Sequence, residues 1–293
     1  MGVVEAAPDL EHEYNVRLLH ADRQQFYDRY WARSEAAYRE LEVVRDVRYG
    51  AGARALMDVF LPSNGAKGEG VPIVAFFHGG YWQAHERAEF GFVARAFAAA
   101  GICTALVGYD LAPGARMGTI VGQARAACAW IRANAGELGV DAGLVFTAGH
   151  SAGAHLAACV LTETAKPCAG AILVSGLYDL SPLVRTTING PLGLTASTAR
   201  RWSPVRHRLP ARGDALVAVG AFETTEFIQQ SHAFSRTWTD GGRSAELIVM
   251  PAMHHYDILL ELDDPDSALS RGARHLVLRS SARAVRMRRR RAR

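Results

Sequence analysis

The chain has 293 residues, of which 49% are hydrophobic, and it carries a formal net charge of +4 at pH 7. This length and composition suit one large α/β domain, or two smaller ones, with a substantial buried core and exclude collagen-like, coiled-coil and disordered chains. No apolar run reaches the roughly 18–20 residues of a membrane-spanning helix, and the first residues lack the basic and apolar regions of a signal peptide.

The first part of the chain is predicted to be helical. Residues 19–41 are rich in aromatic side chains and have the spacing of one or two amphipathic helices. Two strand-like runs follow, VVRDVRYG and ALMDVFLP, joined by the turn residues Gly50, Ala51 and Gly52. We therefore assign residues 1–41 to an N-terminal helical extension and residues 42–280 to a main domain.

Strands and helices alternate along the main domain. Continuous apolar runs are typical of strands that are covered on both faces. The predicted strands are VPIVAFF, GICTALVGYDLAP, LVFTAGHS, AGAILVSGLYDL, ALVAVGAFE and SAELIVMPA. Helix-like stretches separate them, which predicts a mostly parallel central sheet with helices on both faces. Residues 181–212 break this rhythm with four prolines, and we predict a short lid or binding segment there.

One serine lies in a G-x-S-x-G pentapeptide between a predicted strand and a predicted helix. In AGHSAG, Ser151 stands between Gly149 and Gly153. A Cβ at either glycine would strike the neighbouring strand or helix, so only glycine permits such a sharp turn. The N-terminus of the following helix favours negative charge near the serine. The context indicates a nucleophile elbow, although the pentapeptide alone also fits a glycine-rich turn with an incidental serine.

A serine nucleophile needs donors for the oxyanion, which are expected from a loop that precedes the serine in the chain and from the residue just after the serine. The motif HGGYW follows an early predicted strand, and its two glycines allow backbone N–H groups to approach a ligand closely. We predict an oxyanion hole formed by the N–H groups of Gly80, Tyr81 and Ala152.

The acid and the base are expected after the serine, each at the end of a late strand. Glu223 and Glu226 are the candidate acids, and Glu223 is preferred because a loop that leaves the strand would present it to the site. His254 and His255 are the candidate bases, and only one of two adjacent side chains can point back to the serine.

These motifs resemble the α/β-hydrolase superfamily and, within it, the kynurenine formamidase (arylformamidase) branch, which neighbours the hormone-sensitive-lipase-like esterases. The resemblance runs from about residue 12 to residue 280 and rests on EYNVR, HGGYWQ, GHSAGAHL, SGLYDLSPL, ETTEF with the following QQS, and HHYD. It implies Glu223 as the acid, because the family's acid directly precedes an x-x-E-F segment. It implies His255 as the base, because the family's histidine precedes an aromatic residue. Aspartate is the commoner acid in the family, but glutamate is chemically competent.

The resemblance implies a serine hydrolase that cleaves an aryl formamide such as N-formylkynurenine through an acyl-enzyme, with no cofactor and no metal. A carboxylesterase acting on short-chain acyl esters is the alternative, and an inactive hydrolase fold used for binding is a third interpretation. We expect an aromatic small-molecule substrate in a pocket lined by Tyr81, Trp82 and His150, together with residues 181–212. The sequence is also compatible with a homo-oligomer.

The cysteines and the C terminus bear on location and partners. Cys103, Cys128, Cys159 and Cys168 form no C-x-x-C pair and lie in apolar or helix-like surroundings, as expected for reduced thiols in a cytoplasmic protein. The last eleven residues contain seven arginines, and subtracting these from +4 leaves −3 for the rest of the chain. A basic run of this kind is typical of a solvated end, so we predict a disordered tail over residues 281–293. No basic groove with interleaved aromatic residues accompanies the run, and we predict neither a nucleic-acid nor a membrane partner.

Overall fold

An eight-stranded sheet forms the centre of the structure, a computed structural model that describes residues 9–163, 168–210 and 213–291. The strands are β1 (Val43–Arg48), β2 (Leu56–Phe60), β3 (Ile73–Phe77), β4 (Cys103–Val107), β5 (Val145–His150), β6 (Gly170–Val174), β7 (Asp214–Gly220) and β8 (Ala245–Met250). Their order across the sheet is β1-β2-β4-β3-β5-β6-β7-β8. The hairpin β1–β2 and the pair β2–β4 are antiparallel, and all the other neighbours are parallel.

Helices connect the strands. In the described part of the chain they are α1 (Leu10–Tyr14), α2 (Val16–Leu19), α3 (Gln24–Glu40), α4 (Ala94–Ala99), α5 (Met117–Ala133), α6 (Ala135–Leu138), α7 (Ala152–Glu163), α8 (Asn189–Leu192), α9 (Ala196–Arg201), α10 (Thr225–Asp240) and α11 (Ala268–Arg291). Short 3-10 helices span Arg87–Val93, Pro182–Arg185, Pro204–Arg206 and Asp257–Leu262.

The middle of the sheet is covered on both faces. Every residue of β3 to β7 is buried, and successive side chains of a strand point to opposite faces. Helices α5 and α7 contact β3 and β5, whereas α10 and α11 contact β7 and β8. The predicted α/β-hydrolase architecture is thereby confirmed. Because the carboxyl ends of parallel strands lie at one edge, the loops after β3, β5, β7 and β8 come together there.

The N-terminal helices pack onto this edge of the sheet. The buried hydroxyl of Tyr14 donates to Glu226 Oε2 at 2.6 Å and accepts from Gln230 Nε2 at 2.7 Å, which joins α1 to α10. The hydroxyl of Tyr30 on α3 donates to the carbonyl oxygen of Tyr256, in the loop after β8. The extension is therefore tied to two of the loops at the carboxyl edge.

The proline-rich segment after β6 is described up to residue 210 and is folded into short helices. Pro182 and Pro204 each begin a 3-10 helix, where the missing N–H of proline costs nothing. His155 Nε2 on α7 donates to the carbonyl oxygen of Trp202 at 2.7 Å, and the N–H of Val205 donates to the carbonyl oxygen of Tyr178 at 3.1 Å. These bonds fasten the segment to α7 and to the loop after β6.

The C terminus differs from the sequence prediction. Helix α11 continues through Arg291, where the sequence predicted a disordered tail over residues 281–293, and residues 292–293 lie outside the described residues. Arg288 Nη1 lies 2.8 Å from Asp141 Oδ2, and Arg283 Nη2 lies 3.4 Å from Asp214 Oδ2. These two carboxylates, near the starts of β7 and β5, thus neutralise part of the positive charge in the last turns of α11 and hold the helix against the domain.

We expect the Arg288–Asp141 pair to stabilise the fold in a pH-dependent way. Burial raises the pKa of the Asp141 carboxyl, but hydrogen bonds from Arg288, Gly143 and Gly70 outweigh it and hold this pKa below its usual value. The stabilisation is therefore full above the ordinary aspartate pKa of about 3.9 and is lost as the pH falls through the lower folded-state value. Arg288→Met should lower the free energy of unfolding by about 1 kcal/mol at neutral pH.

Urea unfolding of the wild type and of Arg288→Met, followed by circular dichroism, measures this difference. The gap between the two proteins should narrow as the pH is lowered toward 3. Arg286→Met is the matched control, because Arg286 lies on the same helix, is exposed and makes no ion pair within the described residues. Equal destabilisation by both substitutions at every pH would contradict the assignment.

Candidate active site

The turn around Ser151 is as sharp as the glycine spacing predicts. Strand β5 ends at His150, Ser151 has a φ of 56°, and α7 begins at the next residue. A Cβ on Gly149 would lie 2.3 Å from the carbonyl carbon of Gly153, and one on Gly153 would lie 1.9 Å from the carbonyl oxygen of Phe77. Both distances are far inside van der Waals contact, so each glycine is required by the close approach of the backbone.

Ser151, His255 and Glu223 form a continuous hydrogen-bonded chain. His255 Nε2 lies 3.0 Å from Ser151 Oγ, and His255 Nδ1 lies 2.7 Å from Glu223 Oε2. Glu223 Oε1 accepts from Ser175 Oγ at 2.6 Å and from the N–H of Gly220 at 2.7 Å. The side chains of His255 and Glu223 are 4% and 1% exposed. A buried imidazole therefore bridges a hydroxyl and a carboxylate whose second oxygen is fixed by two donors.

The alternative acid and base lie elsewhere. Glu226 accepts the Tyr14 hydroxyl, and His254 Nε2 lies 3.4 Å from Asp257 Oδ2 while its ring packs on His20 with 4.3 Å between centroids. Glu223 and His255, the preferred acid and base, are the two candidates that join the hydrogen-bonded chain to Ser151.

The predicted oxyanion donors lie on two sides of the serine. Gly80 has a φ of 103° and Tyr81 one of 53°, so the HGGYW loop turns back on itself. A Cβ on Gly79 would lie 3.3 Å from Ser151 Cβ, which shows how closely this loop passes the serine. In the described part of the chain, the N–H groups of Gly80, Tyr81 and Ala152 donate to no acceptor. They are available for a ligand oxygen.

Two buried histidines support these loops. Burial lowers the pKa of His78 to about 3, so its neutral ring donates from Nδ1 to the Gly79 carbonyl oxygen at 2.8 Å. Burial is the main cause, and the nearby His255 the next, that holds the pKa of His150 well below its usual range. His150 Nε2 then donates to the backbone carbonyl oxygen of His255 at 2.8 Å. Each histidine acts on a backbone segment of the candidate site through a neutral ring.

A pocket opens beside Ser151 and encloses about 380 Å³ of empty space, the solvent at its mouth included. Of the predicted substrate-binding residues, Tyr81 and His150 line it. Trp82 does not: it is 0% exposed and packs edge-on against His155, with 4.9 Å between centroids. The predicted substrate-binding role of Trp82 is therefore corrected. The left-handed turn at Tyr81 and Trp82 directs only the Tyr81 ring into the pocket.

The remaining wall comes from parts of the chain to which the sequence assigned no binding role. No residue of 181–210 lines this pocket, so the predicted lid role of that segment is not observed over its described part. The wall is formed instead by the extension and by aromatic residues near the two site loops, namely Val16, Arg17, Tyr27, Tyr30, His85, Phe90 and Tyr256. The motif EYNVR, which ends at Arg17, was the available signal for this wall.

The described residues contain no group of three His, Cys, Asp or Glu side chains with the arrangement of a metal site. Within the same residues, no helix combines the length and apolar character that crossing a bilayer requires. The four cysteines are free and buried.

Comparison with known proteins places this arrangement among hydrolases. A family model described as BD-FAE matches residues 57–169. The kynurenine formamidase of Danio rerio is 34% identical over 249 residues, which cover 81% of this chain and 83% of that protein. A crystal structure of a protein from Silicibacter sp. TM1040 superposes with a TM-score of 0.80 at 28% identity and covers 92% of this chain and 99% of that one. An esterase from Pyrobaculum calidifontis shares the fold, with a TM-score of 0.70 at 20% identity over 93% of this chain and 98% of its own.

Proposed function

Because the chain belongs to the kynurenine formamidase family, we propose that it hydrolyses aryl formamides such as N-formylkynurenine with Ser151 as the nucleophile. The chain is accordingly a hydrolase with a small-molecule substrate. The hydrogen-bonded chain from Ser151 through His255 to Glu223 is the observation that carries the serine mechanism, and beside it lie backbone N–H groups that donate to no acceptor among the described residues.

Acylation uses the three side chains in sequence. His255 Nε2 takes the proton of Ser151 Oγ as this oxygen attacks the formyl carbon. Glu223 keeps the proton of the imidazole on Nδ1 and stabilises the imidazolium that forms. The N–H groups of Gly80, Tyr81 and Ala152 receive the oxyanion, and each such donor is worth about 2.7–4 kcal/mol of barrier.

Collapse of the tetrahedral intermediate breaks the C–N bond. His255 returns the proton to the leaving nitrogen, which departs as an arylamine and leaves a formyl ester on Ser151. A water molecule then attacks the ester with His255 again as the base, releasing formate and restoring the serine hydroxyl. An arylamine is less basic than an alkylamine and needs less protonation to leave, so a site of the esterase type is sufficient.

The pocket supports an aromatic substrate. Tyr27, Tyr30, Tyr81, Phe90 and Tyr256 all contribute to its wall. Aromatic rings gain from packing on one another beyond the burial of their area, by about 0.5–1.5 kcal/mol for each pair. A formyl group is the smallest acyl group, and it suits a serine approached as closely as this one by the glycine loop.

Hydrolysis of short-chain acyl esters is the second candidate, since the same groups in the same order would cleave an ester. A purified sample tested with N-formylkynurenine and with p-nitrophenyl acetate distinguishes the two. We expect a larger kcat/KM for the formamide, measured as kynurenine absorbance and released formate, although the ester is intrinsically more reactive. A preference for the ester would favour the carboxylesterase, and turnover of neither substrate would favour the inactive binding fold.

A cytoplasmic location remains part of this proposal and rests on the four free cysteines, because reduced thiols persist in reducing compartments. A homo-oligomer also stays a proposal, and the mass of the purified protein in solution tests it.

A further inference from the structure

One cation, Arg17, lines the pocket without an anionic partner among the residues that the structure describes. Arg17, at the end of the EYNVR motif, is half-buried in the wall. Its Nη2 lies 3.5 Å from the carbonyl oxygen of Gly80, at the limit of a hydrogen bond, and its guanidinium carbon lies 5.5 Å from the centre of the Tyr81 ring. Among the described residues, no carboxylate lies within ion-pair distance of this guanidinium.

The acidic side chains of the same region are engaged elsewhere. Glu223 is bonded to His255, and Glu89 Oε2 lies 2.7 Å from His85 Nδ1. Glu11 accepts from Asn15 Nδ2 at 2.8 Å and from the N–H of Thr187 at 2.7 Å. A half-buried guanidinium has lost part of its hydration, so it favours an anion supplied from the pocket.

We propose that Arg17 binds the carboxylate of the substrate, which makes this hydrolase selective for aryl formamides that carry an acidic side chain. The inference rests on the proposed function and names the substrate class of the same site. Arg17 would act in binding and specificity, because the guanidinium can donate two parallel hydrogen bonds to a carboxylate. The reacting bond stays with Ser151 and His255.

The position of Arg17 suits this role. The guanidinium contacts the carbonyl oxygen of Gly80, and the N–H of the same residue is a proposed oxyanion donor. The anion site and the oxyanion site therefore lie within one residue of each other on the loop. An aniline with an acidic side chain ortho to the formamide can fold so that its carboxylate and its formyl oxygen reach both sites, with the ring against the aromatic wall.

The competing explanation is that Arg17 only supports the HGGYW loop through Gly80 and Tyr81. Three substrates separate the two roles. N-formylkynurenine carries a carboxylate and an ammonium group, its desamino acid keeps only the carboxylate, and 2-formamidoacetophenone keeps the ring, ketone and formamide but has neither charge. Support of the loop would affect all three equally, whereas binding of the carboxylate would affect the first two.

We expect Arg17→Met to lower kcat/KM for both carboxylate substrates by about 10- to 100-fold more than for 2-formamidoacetophenone, mainly through KM. Arg17→Lys should recover part of the loss, because the charge remains but the planar fork is gone. Arg29→Met is the matched control: Arg29 also belongs to the extension and lies 5.4 Å from the centre of the Phe26 ring, but it is exposed and outside the pocket. Arg29→Met should leave kcat/KM for all three substrates unchanged.

An equal loss with all three substrates would overturn the proposal in favour of a supporting role. The wild type gives a test that needs no variant to fold: it should prefer the desamino acid to 2-formamidoacetophenone, and equal kcat/KM values would also overturn the proposal. Failure of the proposed function looks different, because the wild type would then hydrolyse neither 2-formamidoacetophenone nor the acids.

Discussion

Replacing Ser151 with alanine is expected to lower kcat by about 10⁵- to 10⁶-fold, to the level that the remaining donors and substrate binding sustain. The substitution removes the attacking oxygen and leaves the His255–Glu223 pair intact. Alanine carries a Cβ as serine does, so the φ of 56° at this position is no more strained with alanine than with serine. The melting temperature should therefore stay close to that of the wild type.

Two measurements check this expectation. Hydrolysis of N-formylkynurenine gives the rate, and labelling with a fluorophosphonate reports whether a reactive serine remains. Ser63→Ala, in an exposed position of the loop after β2, is the control and should be labelled and active like the wild type. A Ser151→Ala protein that still turned over substrate at the wild-type rate, or still took the label, would require a different nucleophile.

Glu223→Gln is expected to have the second large effect and to lower kcat by about 10³- to 10⁴-fold. Ser175 Oγ and the N–H of Gly220 both donate to Glu223 Oε1, so the carbonyl oxygen of the glutamine must take that place. Its amide NH₂ then faces His255 Nδ1, which has to accept. The imidazole proton moves to Nε2, and the ring can no longer take a proton from Ser151.

Glu226→Gln is the matched control, because Glu226 is the neighbouring glutamate that sequence reasoning kept as an alternative. It accepts a hydrogen bond from Tyr14, whereas the carboxylate bonded to His255 is that of Glu223. Steady-state rates of the two variants, with circular dichroism to confirm folding, should differ by orders of magnitude. If Glu226→Gln were the inactive variant and Glu223→Gln the active one, the assignment of the acid would be wrong.

Much of the fold could be predicted because its signals are local. The apolar runs of β3 to β7 are long enough to be recognised alone, since each is covered on both faces. The turn at Ser151 and the HGGYW loop are likewise encoded by glycines next to the residues they position. The parallel sheet then brings the loops to one edge, where Glu223 and His255 approach Ser151.

The features that escaped prediction depend on partners far along the chain. Arg288 lies among arginines typical of a solvated end, and nothing near it reveals that Asp141, 147 residues away, holds it in place. Trp82 and Tyr81 are adjacent aromatic residues, and only the backbone turn decides which of them reaches the pocket. Sequence spacing cannot supply the direction of a side chain in a left-handed turn.

Helices α1 to α3 have a consequence for the order in which the molecule is assembled. They are synthesised before their partners: Tyr14 meets Glu226, Tyr30 meets Tyr256 and Arg33 meets Asp263, at separations of 212, 226 and 230 residues. During translation the apolar faces of these aromatic-rich helices stay uncovered until the partner residues, more than 200 positions later, have left the ribosome. Closing such long loops is slow, so docking of these helices should be among the last folding events, and the nascent chain is a natural client for chaperones.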